Sequence, residues 1–125
     1  MPVRSLNSRV FKWPDRRQVE AAARDWARRQ AERHPELKRV GYFGSYARGD
    51  WGVGSDLDLV AVVADARRPF GERPRDWDLT GLPVPAELLV YTEEEWKEKL
   101  SEGGRFARVL ADEVVWIYSR DRSSI

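Results

Sequence analysis

The stretch Gly44-Ser45-Tyr46-Ala47-Arg48-Gly49-Asp50-Trp51-Gly52-Val53-Gly54-Ser55-Asp56-Leu57-Asp58-Leu59 decides how the chain is read. It is preceded by Leu37 to Phe43, which reads as a strand, and it continues into Val60 to Val63. The spacing predicts a strand ending in a tight Gly-Ser turn, a short helical start over Ser45 to Arg48, and a second strand over Asp56 to Val63. A strand that turns into a helix at Gly-Ser presents backbone N–H groups and a hydroxyl at a positive dipole end, which suits a phosphate. Gly44 lets that phosphate approach the backbone. Asp56 and Asp58 are two apart on the second strand, so their carboxylates share one face while Leu57 and Leu59 pack on the other. Two adjacent carboxylates repel, and Mg²⁺, a cation that takes oxygen ligands and keeps substrate phosphates in its shell, relieves the repulsion. A triphosphate gripped by the turn and the metal would leave its α-phosphorus open to in-line attack, with pyrophosphate departing.

Outward from this centre the remaining elements follow the usual signals. Asp15 and Gln18 form a capping box that opens an amphipathic helix over residues 15–34, with Val19, Ala22, Ala23, Trp26 and Ala27 on one face, and His34-Pro35 ends it. His34, the single histidine, is read as a helix C-terminal residue. Residues 64–83, broken by Pro69, Gly71, Pro74, Gly81 and Pro83, form an irregular excursion with no assigned element. Val84 to Tyr91 is a third strand with Pro85 at its start. Thr92-x-x-Glu95 caps a helix to about Leu100, with Glu93, Glu94 and Glu95 favouring its dipole, and Gly103-Gly104 stops it. A short helix over Phe106 to Ala111 leads into a last strand, Val114 to Tyr118, and residues 119–125 form a polar tail expected to fray.

The expected whole is a single domain of 125 residues, α/β (α+β) in class, with about four strands flanked by helices. It divides into an N-terminal segment and helix (1–35), a core (36–118) and a tail (119–125). With no Cys, disulfides, thiolate metal sites and Cys-based catalysis are excluded. The absence of a signal-like or membrane-spanning apolar run leads us to expect a cytoplasmic location and no membrane partner. The net charge of +1 conceals a lopsided chain: residues 1–43 carry eleven Lys/Arg against five Asp/Glu, and residues 71–125 carry eight against twelve. The basic segment reads either as a solvated helix face or as a surface for an anionic partner. Arg48 is placed to reach a phosphate, or to cap and solvate its own helix. Tyr46 and Trp51 read either as base-stacking residues or as packing at the sheet edge.

Gly44-Ser45, ten residues, then Asp56-x-Asp58, in the form G-S-Y-A-R-G with S-D-L-D-L-V, resembles the signature of the DNA polymerase β-type nucleotidyltransferase superfamily, and within it the minimal nucleotidyltransferase (MNT) branch. The resemblance covers roughly residues 36–118. It implies a nucleotidyltransferase fold with a mixed central sheet, Gly44 and Ser45 at the nucleotide's phosphates, and Asp56 and Asp58 as ligands to two Mg²⁺ ions. It also implies a third carboxylate on a later strand. The candidate is Glu87, where the family more often has Asp.

The activity implied is Mg²⁺-dependent transfer of AMP from ATP, or of another nucleotide from its triphosphate, to an acceptor. Larger members of the superfamily hold the acceptor on an added helical domain, for which this chain has no room. In the MNT branch that the chain resembles, the partner is typically a helical HEPN toxin, with the MNT protein acting as its antitoxin by binding or by nucleotidylating it. Two further readings stay open: a module that neutralises its partner by contact alone, and a small-molecule (antibiotic) nucleotidyltransferase. Nucleic acid is not expected as a direct substrate, because no template-binding module is present.

Overall fold

The computed structural model describes residues 13–120. Its first helix, α1 (Arg16–Arg33), is opened by the expected capping box: the Asp15 carboxylate accepts from the Gln18 N–H at 2.9 Å, and the Gln18 side chain accepts from the Asp15 N–H at 2.8 Å. His34 ends it, donating its N–H to the Gln30 carbonyl. Ala23, Ala27 and Ala31 recur every four residues on the buried stripe, and their small size lets the helix lie close to the sheet while Trp26 fills the space beside them.

The sheet has four strands in the order β3-β2-β1-β4, with β1 (Leu37–Phe43), β2 (Leu57–Val63), β3 (Ala86–Thr92) and β4 (Val115–Ser119). β1 runs antiparallel to both β2 and β4, and β2 runs parallel to β3, so the sheet is mixed, as expected. Between β1 and β2 lies the one-turn helix α2 (Ser45–Arg48). After β3 come α3 (Glu93–Ser101) and α4 (Arg105–Asp112).

β2 is central and covered on both faces, which is why its sequence is nearly continuous Val, Leu and Ala. Leu57, Leu59, Ala61 and Val63 join Val40, Tyr42 and the α1 stripe in one cluster. Val60 and Val62 join Phe43, Tyr91, Trp96 and Leu110 in the other, under α3 and α4. Boundaries differ from the sequence reading by one or two residues, with a physical reason at β3. Pro85 has no N–H, so β3 enters the ladder only at Ala86, while the Pro85 carbonyl accepts the Leu57 N–H at 2.8 Å. Asp56 therefore stands just before β2 instead of inside it. Of the tail, residues 121–125 lie outside the described residues, as do residues 1–12 of the basic segment.

The excursion between β2 and β3 contains a 3₁₀ helix, Phe70–Asp76. No periodic pattern announces it because a single buried cation holds it. Arg73, 7% exposed, donates to the Arg68 carbonyl at 2.8 Å, to the Val90 carbonyl at 2.9 Å, and to both Glu95 carboxylate oxygens at 2.6 and 3.1 Å. Glu95 also accepts the Thr92 N–H at 2.9 Å, completing the α3 capping box. The Arg73 guanidinium, helped by that N–H, holds the Glu95 carboxyl at about 2, well below its ordinary 4.5. A depressed carboxyl stabilises the fold above its unfolded value, and that contribution disappears as pH falls from about 4.5 through about 2. Glu95→Gln should cost about 2 kcal/mol at pH 7, below the range for a fully buried pair because Glu95 is 38% exposed. Denaturant unfolding from pH 7 down to pH 2 should show the parent and the variant converging; parallel curves would contradict the assignment.

Candidate active site

β1 ends at Phe43, and Gly44 turns the chain into α2 with φ +79° and ψ −149°, a conformation that belongs to glycine. Phe43 is the ladder partner of Asp58 across the β1–β2 pair. A Cβ on Gly44 would collide with the Asp58 carboxylate, so the Gly-Ser turn and the acidic centre form one unit. The internal hydrogen bonding of α2 begins with the Ala47 and Arg48 N–H groups on the Gly44 carbonyl, at 3.0 and 2.9 Å. The Ser45 and Tyr46 N–H groups therefore start the helix outside that pattern, and the half-exposed Ser45 hydroxyl makes no hydrogen bond among the described residues.

Asp58 lies in register with Glu87 across the parallel β2–β3 pair. Burial pushes the Asp58 carboxyl up, and the charges of Glu87 and Asp56 push it further, with Arg48 opposing. Leu57 and Leu59 are fully buried on the opposite face, as period-2 alternation requires. Asp56 and Glu87 are exposed. Among the described residues, none of the three carboxylates has an ion-pair partner. The structure thus gathers Gly44, Ser45, Asp56, Asp58 and Glu87 at one end of the sheet.

Arg48 also makes protein contacts: its Nε donates to Asp50 at 3.1 Å and its Nη1 to Glu113 at 3.5 Å, tying α2 to the end of α4. Tyr46 is buried and stacks on Trp51 at 5.5 Å with 9° between the rings, so this pair is used in packing. Gly44→Ala should lose about 1–3 kcal/mol of stability through backbone strain alone, and with it the close approach of turn and carboxylate. Denaturant titration checks the first effect and nucleotide calorimetry the second; a neutral substitution would contradict the geometry.

Sequence reasoning missed what braces this turn from behind. Arg16 on α1 donates through Nε to the Tyr46 carbonyl at 3.1 Å and through Nη2 to the Tyr42 hydroxyl at 3.2 Å. The Tyr42 hydroxyl donates to Glu20 at 2.6 Å. That bond holds the Glu20 carboxyl below its ordinary range, while burial and Glu20 together push the Tyr42 hydroxyl up. In sequence, Arg16 and Glu20 show only an i, i+4 spacing that suits a surface ion pair.

The donor set is all oxygen, unpaired and mutually repelling, which fits Mg²⁺. Among the described residues no three carboxylate or imidazole groups converge closely enough to enclose an ion. Mg²⁺ commonly takes one or two carboxylates and completes its shell with phosphates and water, so an open set of this kind remains suitable. A separate cavity of about 530 Å³ lies at the far end of β2, lined in part by His34, Asp65, Arg67 and Trp77. It contains none of the sequence-predicted site residues, and His34 stacks there on Trp77 at 3.9 Å.

The sequence profile of the nucleotidyltransferase domain family matches residues 24–116, most of the chain, and the protein belongs to that family. No curated protein matches it. Solved structures of similar fold include a candidate nucleotidyltransferase from Sulfolobus solfataricus (TM-score 0.63, 23% identity, 86% of each chain covered). A toxin–antitoxin with AMP-PNP (TM-score 0.54, 15% identity) aligns over 80% of this chain and 76% of the other. A mutant of the toxin–antitoxin MntA–HpeT (TM-score 0.52, 12% identity) aligns over 80% and 75%. At these identities the likeness concerns the fold. No helix among the described residues is long and apolar enough to cross a membrane.

Proposed function

We propose that the chain is a Mg²⁺-dependent nucleotidyltransferase that moves AMP from ATP to a hydroxyl of a helical, HEPN-type protein partner, as an antitoxin of the MNT branch. The observation that carries the reading is Asp58: half-buried, in register with Glu87, against Gly44, its carboxyl raised by burial and then by its acidic neighbours. Such an arrangement costs stability unless a cation and its phosphates complete it. In this reading Gly44 and Ser45 would hold the triphosphate, and Asp56, Asp58 and Glu87 would share Mg²⁺ with its phosphates and with water, two ions by family resemblance. Bound there, Mg²⁺ would neutralise charge on the phosphates. The acceptor oxygen bonds to the α-phosphorus, the α–β bridging P–O bond breaks, and pyrophosphate leaves with that electron pair. The hydroxyl proton passes to a carboxylate of the centre, for which Glu87, exposed at the mouth, is suited.

An acceptor held on a separate polypeptide accords with a chain whose described residues form one sheet and its covering helices, and with fold neighbours that are toxin–antitoxin complexes. The test is incubation of the protein with α-labelled ATP, Mg²⁺ and a co-expressed helical partner. Label on the partner supports transfer. A stable complex without label would favour neutralisation by contact, and label on an added aminoglycoside instead would favour a small-molecule acceptor.

A further inference from the structure

The acidic centre has an apolar flank with no role in the reading above. Phe106, near the start of α4, is 38% exposed, one of three large apolar side chains so exposed among the described residues. Its ring packs edge-on against Phe43, with centroids 5.9 Å apart and 71° between planes. Phe43 immediately precedes Gly44 and is the ladder partner of Asp58, so Phe106 stands one side chain away from the phosphate turn. Lys99 on α3 places its ammonium 5.5 Å from the centre of the Phe106 ring. Phe43 packs against the ring and the Lys99 ammonium stands over one of its faces, so a flat partner would meet the part of the ring that stays exposed. The other two exposed apolar side chains differ: Val53 has no ring, and Phe70 tilts against Tyr91 at 5.0 Å and sits with Arg73, at 5.7 Å, on the crossover.

We propose that Phe106 is the stacking platform for the nucleobase of the triphosphate, with Lys99 beside it holding the ring in place. This rests on the nucleotidyltransferase reading. A nucleotide whose phosphates sit at Gly44-Ser45 carries its base away from them on the sugar, and Phe106 is an exposed aromatic side chain packed on Phe43, the residue just before that turn. Stacking accepts any base but favours larger rings, so purine triphosphates should bind more tightly than pyrimidine ones.

The test is calorimetric titration of the parent, Phe106→Leu and Phe106→Trp with Mg²⁺·ATP and with Mg²⁺·tripolyphosphate. Leu keeps apolar packing against Phe43 and removes the π-face. Phe106→Leu should weaken ATP binding about tenfold and leave tripolyphosphate binding unchanged, while Phe106→Trp should match or exceed the parent on ATP. Unchanged ATP affinity in the Leu variant, or equal losses for both ligands, would overturn the platform. A parent that binds ATP no better than tripolyphosphate would overturn the platform while leaving the phosphate site standing. A parent that binds neither would overturn the nucleotide reading as well.

Discussion

Asp58→Asn should cut nucleotidyl transfer by about 10³-fold while making the ligand-free protein more stable. The two halves of that result share one cause. Asp58 is half-buried beside Glu87 and Asp56, and its carboxyl is raised first by burial and then by those charges. An acid raised in the folded state weakens the fold when it is ionised, an effect present at neutral pH and relieved as pH falls through the folded value. Asn removes the charge and keeps the shape, so thermal unfolding without ligand should shift upward. In the proposed site the same change would remove a ligand from the cation, worth several kcal/mol of charge stabilisation. At 1.36 kcal/mol per decade that is a loss of about 10³-fold in turnover. Mg²⁺·ATP should raise the melting temperature of the parent and leave that of the variant unmoved. A variant that is less stable without ligand and still protected by Mg²⁺·ATP would show that Asp58 is a structural residue.

Glu87→Gln is expected to act differently, because Glu87 is exposed at the mouth of β3 and contributes little to packing. The fold should be unaffected, and much of the Mg²⁺·ATP affinity should remain with Asp56 and Asp58. What goes is the carboxylate that helps hold metal or takes the acceptor proton, so labelling of the partner should fall by about 10² or more. Rescue by Glu87→Asp would show that the register position supplies a carboxylate whatever its reach. Equal labelling by the parent and the Gln variant would remove Glu87 from the site.

Most of the frame was legible because it is written in local code. The capping boxes at Asp15–Gln18 and Thr92–Glu95 mark helix starts through bonds three residues apart, and the β2 run Leu57–Val63 shows by composition that both its faces are covered. The grouping of Gly44, Ser45, Asp56 and Asp58 was legible too, since a turn between antiparallel neighbours keeps them close. Glu87 entered only through family resemblance, and its register against Asp58 comes from the structure, because strand pairing leaves no mark on a single sequence. The Arg73 anchor and the Arg16–Tyr42–Glu20 brace were illegible for the same reason. Each joins residues far apart in the chain through side chains that in sequence look like ordinary surface charge. At Arg48 and Tyr46 the sequence left two readings open, a ligand contact or a protein one, and the fold gives each a protein partner.

The Arg73 guanidinium on the Val90 carbonyl and the Glu95 carboxylate has a consequence about 10 Å along β3. It adds to the β2 ladder and the buried Leu88 and Val90 in fixing the phase of that strand. Side chains alternate along a strand, so a slide of β3 by one residue would bring Ala86 or Leu88 opposite Asp58, and the third carboxylate would face away. Part of the lock on that slide is outside the acidic centre, in a segment with no chemistry of its own. Substitution of Arg73 would therefore reach the acidic centre without altering any residue in it.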